Sequence, residues 1–412
     1  MESESTSRRE TRTGSAFEVL RVFLLLGCTC FGGPIAHIGY FRREFVERRR
    51  WLDDTTFTDL FALCQFLPGP ASSQVGFSIG LLRAGWWGGL AAWLGFTLPS
   101  AILMAGFARI AGLLDNAIGQ GLVHGLKLVA VAVVAQAIWD MARRLCADRV
   151  RAAIALAALA VLSMLVTVYA QIIVIAGGAL LGLMFCRTST SADARNLSHD
   201  AHAFALPRVA SVIALVLFCA LLVGLPALEA LLPGAWMLRV VDVFYRSGAL
   251  VFGGGHVVLP LLQQATVASG WISANEFLSG YGAAQAVPGP LFTFASYLGW
   301  IMSPASHHAL GALFATAGIF LPGLLLVIAV LPHWQALRVR PPVAALLAGA
   351  NAAVVGLLAS AFYSPVWTSA VLSAADFAVA VIALILLTRW NVRPLLVVLL
   401  CAAAGIVESY VR

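Results

Sequence analysis

Four short clusters of glycine and proline interrupt an otherwise apolar sequence: FGGP (31–34), QFLPGP (65–70), FGGG (252–255) and QAVPGP (285–290). Proline suits the first turn of a helix and glycine before it lets the chain turn without a side chain, so Gly33-Pro34, Gly69-Pro70 and Gly289-Pro290 read as helix starts. Gly32, Pro68 and Pro288 belong to the same turns. Gly253, Gly254 and Gly255 keep a turn but lack the proline. A helix start presents unpaired N–H groups at the positive end of the helix dipole, and the chemistry this supports is capture of a small anion. Gln65, Gln74 and Gln285 flank the PGP clusters and carry amide donors for an oxyanion, although capping loose carbonyls is the commoner duty of any one of them.

Ionisable groups add to this set. Lys127 stands inside GQGLVHGLKLVAVAVVAQAIW (119–139), where a charge is costly and by default marks a function. The alternative is that it snorkels or pairs structurally with a carboxylate. The corresponding place in the second half holds Asn351, a neutral donor, in LLAGANAAVVGLL. His37 and His256 follow the GG clusters and titrate near neutral pH, which makes them candidates for proton coupling, with interfacial hydrogen bonding as the alternative. The HDAH stretch (199–202) sits in a polar loop without further ligands, so no metal site is expected. The arginines from Arg42 to Arg50 read as a topology anchor, with Arg42 and Arg43 nearest the break.

The elements that must position these groups lie in a membrane. Of 412 residues, 61% are hydrophobic and 11% charged, against about 25% charged in soluble domains. A span needs about 20 apolar residues, and stretches such as WWGGLAAWLGFTLPSAILMAGFARI (86–110) exceed that. Residues 1–15 are polar, lack signal-peptide features and read as a disordered cytoplasmic tail. The seven cysteines lack CxxC spacing, so neither disulfides nor zinc are indicated. The net charge of +7 is accounted for by cytoplasmic anchoring residues.

The clusters recur in register. Phe31 matches Phe252, Gln65 matches Gln285, Pro99 matches Pro322 and Gly125 matches Gly349, at offsets of 221, 220, 223 and 224. Repeat one covers 16–186 and repeat two 238–412. Between them lie a cytoplasmic loop (187–208) and one unmatched apolar segment, a linker transmembrane helix (209–237). An odd crossing between equal repeats inverts the second, and the arginines agree. FRREFVERRRW (41–51) carries five arginines, whereas VVLPLLQQATVASGW (257–271) carries none. The expected fold is therefore an all-α polytopic membrane protein of two inverted-topology repeats with broken or re-entrant helices. Each repeat is expected to have two re-entrant or broken elements and four full crossings, nine crossings in all with the linker, or up to thirteen if the broken elements span. Irregular backbone at membrane depth survives where protein covers it or water lines it, so the breaks are expected near the midplane around a shared cavity.

The ordered motifs FGGPIAHIGYFRREFVERRRWL, QFLPGPASSQVGFSIG and GFTLPS, then FGGGHVVLPLL, GWISANEFLSGYGAAQAVPGPLFTFASYLG and IFLPG, resemble the chromate ion transporter family in its long, two-domain form. The resemblance covers nearly the whole chain. It implies efflux of chromate from the cytoplasm across the inner (plasma) membrane, conferring resistance, with sulfate as a competing oxyanion. Besides these anions and the lipid bilayer, a homo-oligomer is an open partner; no nucleic acid and no cofactor are expected. With no Walker A, HExxH, GxSxG or CxxC pattern, neither ATP drive nor an enzyme is indicated. A passive anion channel would use the same helix ends.

Overall fold

The computed structural model describes residues 14–111, 116–165, 170–186, 207–232, 234–338 and 340–411. The residues 1–13 of the expected tail and the HDAH stretch lie outside them. Among the described residues the chain is helical without strands. The first repeat contains α1 (Ala16–Thr29), α2 (Gly33–Phe41), α3 (Asp54–Phe66), α4 (Ala71–Ala111), α5 (Ala117–Leu145), α6 (Arg149–Met164) and α7 (Ala170–Phe185). A linker helix, α8 (Arg208–Leu231), follows. The second repeat contains α9 (Trp236–Ala249), α10 (Val258–Thr266), α11 (Ala274–Ala284), α12 (Phe294–Met302), α13 (His308–Val330), α14 (Pro341–Ala361), α15 (Ala374–Thr388) and α16 (Pro394–Val411).

Local signals place most of these ends. Ser15, Asp53, Asn116 and Asp148 cap α1, α3, α5 and α6 by accepting a first-turn backbone N–H, which satisfies donors that a helix start leaves over. Ser273 and Glu276 close a capping box at α11. Helix α4 is two arms: Ala84 and Gly85 leave helical geometry, and a Cβ on Gly80 would stand 2.3 Å from the Gly88 carbonyl oxygen. The arms fold back on each other, closest where Gly80 meets Gly88. The second repeat makes the same hairpin from α12 and α13, with Gly299 as close to the Gly311 carbonyl at 2.3 Å.

Among the described residues, five helices are long and apolar enough to cross a membrane: α4, α5, α8, and the helical stretches 305–333 and 341–370. Four shorter apolar helices, including α7, α15 and α16, add to them.

The repeats interlock. α1 packs on α4 and α9 on α13, each within its own repeat. Beyond that the partners are exchanged: α5 packs on α15 and α16, while α14 packs on α6 and α7. Both exchanged seams are lined by small residues. A Cβ on Gly125 would lie 2.3 Å from the Cys401 carbonyl, and one on Gly349 would lie 2.1 Å from the Gly178 carbonyl. In a bilayer, where apolar surface gives no preference for protein over lipid, such backbone-to-backbone approach supplies the dispersion contact that holds helices together.

Candidate functional site

All four glycine-proline clusters are breaks in the helices. Gly32, Gly33, Gly69, Gly253, Gly254 and Gly289 have φ of 103°, 79°, 121°, 78°, 146° and 94°, a region that side chains oppose. Gly33 and Pro34 open α2, with Gly32 as its cap. Pro70 precedes α4 directly. Two starts differ from expectation: after Pro290 the chain makes a 3-10 turn, Leu291–Thr293, before α12, and Gly255 opens a 3-10 turn, Gly255–Val257, before α10. Without proline at the first position, or with bulky Leu291 and Phe292 following it, these starts wind more tightly.

The breaks meet across the repeats. The Gly69 amide donates to the Val251 carbonyl at 2.7 Å, and the Gly289 amide donates to the Cys30 carbonyl at 2.8 Å. Val251 and Cys30 are the residues just before FGGG and FGGP, so each PGP turn is tied to the opposite repeat's GG turn. The proline-containing helices complete the exchange. A Cβ on Gly69 would lie 3.1 Å from Gly323 Cα in the LPG of α13, and one on Gly289 would lie 2.9 Å from Ser100 Oγ in the LPS of α4. These two amides are therefore already used within the protein.

The remaining predicted residues divide. Gln74 Nε2 donates to the Pro68 carbonyl at 2.9 Å and the Gly323 carbonyl at 3.1 Å, a capping duty across the interface. Its Oε1 has no partner. Gln65 is exposed at the end of α3, and Gln285 is half-buried with its Nε2 buried and unpartnered. Asn351 lies at the FGGG break, its Oδ1 unpartnered and 3.3 Å from where a Gly253 Cβ would stand. His37 is buried on α2, edge-on to Phe96 with ring centres 5.3 Å apart. His256 instead shares a hydrogen bond with the Tyr281 hydroxyl at 2.8 Å. Arg42 is paired with Glu47 at 2.6 Å and Asp54 at 2.8 Å, while Arg48 and Arg49 pair with Glu44.

Lys127 stands apart from the breaks that Asn351 joins. Its Nζ donates to Asn275 Oδ1 at 3.2 Å and, more weakly, to the Ser369 carbonyl at 3.5 Å. One turn earlier, His124 Nε2 meets Asp376 Oδ1 at 2.5 Å and lies 3.7 Å from Glu408 Oε2. Ser373 donates to Glu408 and caps α15 through Asp376 N–H. This network joins α5 to α11, α15 and α16 of the other repeat. Sequence reading missed His124, Asp376 and Glu408. The signal was there: His124 and Lys127 share one face of α5, and Asp376 and Glu408 are rare acids in apolar segments. Also missed was Asp242 on α9, fully buried and paired with Arg246 one turn later.

Comparison with known proteins agrees with this duplicated architecture. A chromate transport protein of Pseudomonas aeruginosa is 29% identical over 346 residues, covering 82% of this chain and 77% of that protein. One from Cupriavidus metallidurans is 24% identical over 352 residues, covering 84% and 81%. A probable chromate transport protein of Synechococcus elongatus is 25% identical over 350 residues, covering 84% and 83%. No solved structure matches the chain. The chromate transporter family model matches twice, over residues 17–183 and 238–406, and by those two matches the chain belongs to the chromate transporter family.

Proposed function

We propose that this chain is a secondary transporter that exports chromate from the cytoplasm, holding the oxyanion where the duplicated breaks meet. The observation that carries the reading is the crosswise pair of hydrogen bonds, Gly69 to Val251 and Gly289 to Cys30, which gathers the helix starts of both repeats in one place. Chromate is a doubly charged tetrahedral oxyanion, and a helix start offers backbone N–H groups and positive potential without a hydrated cation. Chromate transport by the relatives supports the same substrate, and sulfate shares its shape and charge.

The chain lies in the inner membrane with its amino terminus in the cytoplasm, the side to which the paired arginines of 42–50 anchor it. Broken segments enter and return, and full crossings carry the rest. Export then runs with the potential: one charge moved across 100 mV gains about 2.3 kcal/mol, and a dianion about twice that. Gln65, Gln285, Asn351 and the turns 31–34, 68–70, 252–255 and 288–290 line the path.

Everted vesicles containing the protein are expected to take up chromate saturably, with sulfate competing and collapse of the potential slowing uptake. Absence of uptake overturns the reading. Linear, non-saturating flux without competition by sulfate would assign a channel instead.

A further inference from the structure

The two repeats differ in the polar groups they bury near their breaks. His37, Ser73, Gln74 and Thr97 are 1%, 2%, 0% and 3% exposed. Both ring nitrogens of His37, Ser73 Oγ, Gln74 Oε1 and Thr97 Oγ1 have no hydrogen-bond partner among the described residues. The Cys30 carbonyl lies beside the His37 ring outside hydrogen-bond geometry, and it already accepts the Gly289 amide.

At the matching positions the second repeat has Val258, Thr293, Phe294 and Phe320. Three are apolar, and Thr293 Oγ1 donates to the Pro290 carbonyl at 2.8 Å. Hydroxyls elsewhere in these helices also find a carbonyl one turn back, as Ser78 does on Gln74 and Thr316 on Ala312, at 2.8 and 2.7 Å. That is the ordinary fate of a helix hydroxyl in an apolar setting. Ser73 and Thr97 do not follow it. Burying such groups unpartnered is costly, and a buried polar group in a native protein is expected to have a partner.

The helices that carry these groups, α2 and the two arms of α4, are in contact. A Cβ on Gly76 would be 3.6 Å from the Phe41 ring, so α2 lies along the first arm of α4. Both helices begin at breaks, and one turn back toward those breaks stand His37 and Ser73. Thr97 follows Phe96, whose ring meets His37 and whose carbonyl is 3.2 Å from where a Gly289 Cβ would lie. Gln285 and Asn351 of the other repeat retain one buried, unpartnered atom each, but these are a single donor in the QAVPGP segment and a single acceptor beside Gly253, not a cluster of donors.

We infer that the oxyanion site is one-sided: Ser73 Oγ, Thr97 Oγ1 and a His37 ring N–H donate to a single deprotonated tetrahedral oxyanion per chain. It lies beside the first-turn amides of α4, which have no intrahelical acceptor. Of the unpartnered atoms here only Gln74 Oε1 is unable to donate; the two hydroxyls and a His37 ring nitrogen each carry a proton to offer, as an acceptor-only ligand requires. This inference rests on the transport reading above and sharpens it. The second repeat supplies the matching scaffold and not a second site.

The test is initial-rate chromate uptake in everted vesicles at matched levels of inserted protein. Ser73→Ala and Thr97→Val are each expected to raise the half-saturating chromate concentration about tenfold or more, the loss of one hydrogen bond to a charged ligand. Thr97→Ser, which keeps the hydroxyl, restores it, and the repeat-two control Thr293→Val shifts it less than about twofold. Unchanged half-saturation in the Ser73→Ala, Thr97→Val double variant, as expected if water alone fills the space, overturns the inference. So does an equal shift in Thr293→Val. Either result leaves wild-type uptake, and with it the transport reading, intact; failure of wild type to carry chromate or sulfate removes both.

Discussion

Gly69 and Gly289 hold backbone angles that an L side chain opposes, and each has a neighbour within about 3 Å of the missing Cβ: Gly323 Cα at 3.1 Å and Ser100 Oγ at 2.9 Å. Left-handed backbone alone costs a side-chain residue roughly 1–2 kcal/mol, and the clash adds to it. Gly69→Val and Gly289→Val are therefore expected to abolish chromate uptake in everted vesicles while inserted protein remains detectable by immunoblot. Lys127 makes a different prediction, because it touches Asn275 and Ser369 and none of the breaks. Lys127→Ala is expected to lower the melting temperature of the purified protein and the maximal uptake rate, with half-saturating chromate unchanged. A large rise in half-saturation would instead place Lys127 on the ligand. The glycine and proline breaks were legible in the sequence because their physics is local: a positive φ or a missing N–H is a property of the residue itself. The cost of Lys127 was equally legible. Its partners were not, since Asn275 and Asp376 are distant in sequence and only tertiary packing brings them near. Ser73 and Thr97 carried no signal, since a serine or threonine in an apolar helix ordinarily satisfies itself on the preceding turn.

At the level of elements, the doubled pattern foretold two repeats with matching interruptions, and the helices α1–α4 and α9–α13 follow it closely. The 3-10 turns after Gly254 and Pro290 departed from a uniform helix start because the second repeat changes the residues that govern the first turn. Which helices touch was beyond the pattern. A period of about 3.6 residues identifies a buried stripe but not its partner, and the stripes of α5 and α14 are small-residue surfaces that fit each other's α16 and α7 through close backbone approach. Gly182 and Gly405 occupy matching places on those partner helices; a Cβ on each would lie 2.5 Å from the Ala345 carbonyl and 2.2 Å from the Gly121 carbonyl. Gly182→Leu and Gly405→Leu are each expected to separate their seam. Size-exclusion profiles of the detergent-solubilised variants should show aggregation or loss of the monodisperse peak, whereas Gly224→Leu on α8, with open space around it, should not.

Across the whole molecule, exchange of partners means neither repeat closes its own core. Chains ending at residue 186 or beginning at 207 are expected not to accumulate when expressed singly, while co-expression should recover chromate uptake, measured on the same vesicles. Recovery from one half alone would show that the seams are dispensable. The charge asymmetry adds a mapping experiment: single cysteines introduced at Arg43 and at Ser269 should be labelled by an impermeant reagent from opposite faces. His124 finds its acceptor, Asp376, 252 residues later in the chain. As the ribosome delivers the amino-terminal half into the bilayer, α5 must wait with its lysine unanswered until α11 arrives and its histidine unanswered until the last two helices do. A lengthy open intermediate is thus built into biogenesis, and premature stop codons near the end of the gene should yield a nascent product that quality-control proteases remove.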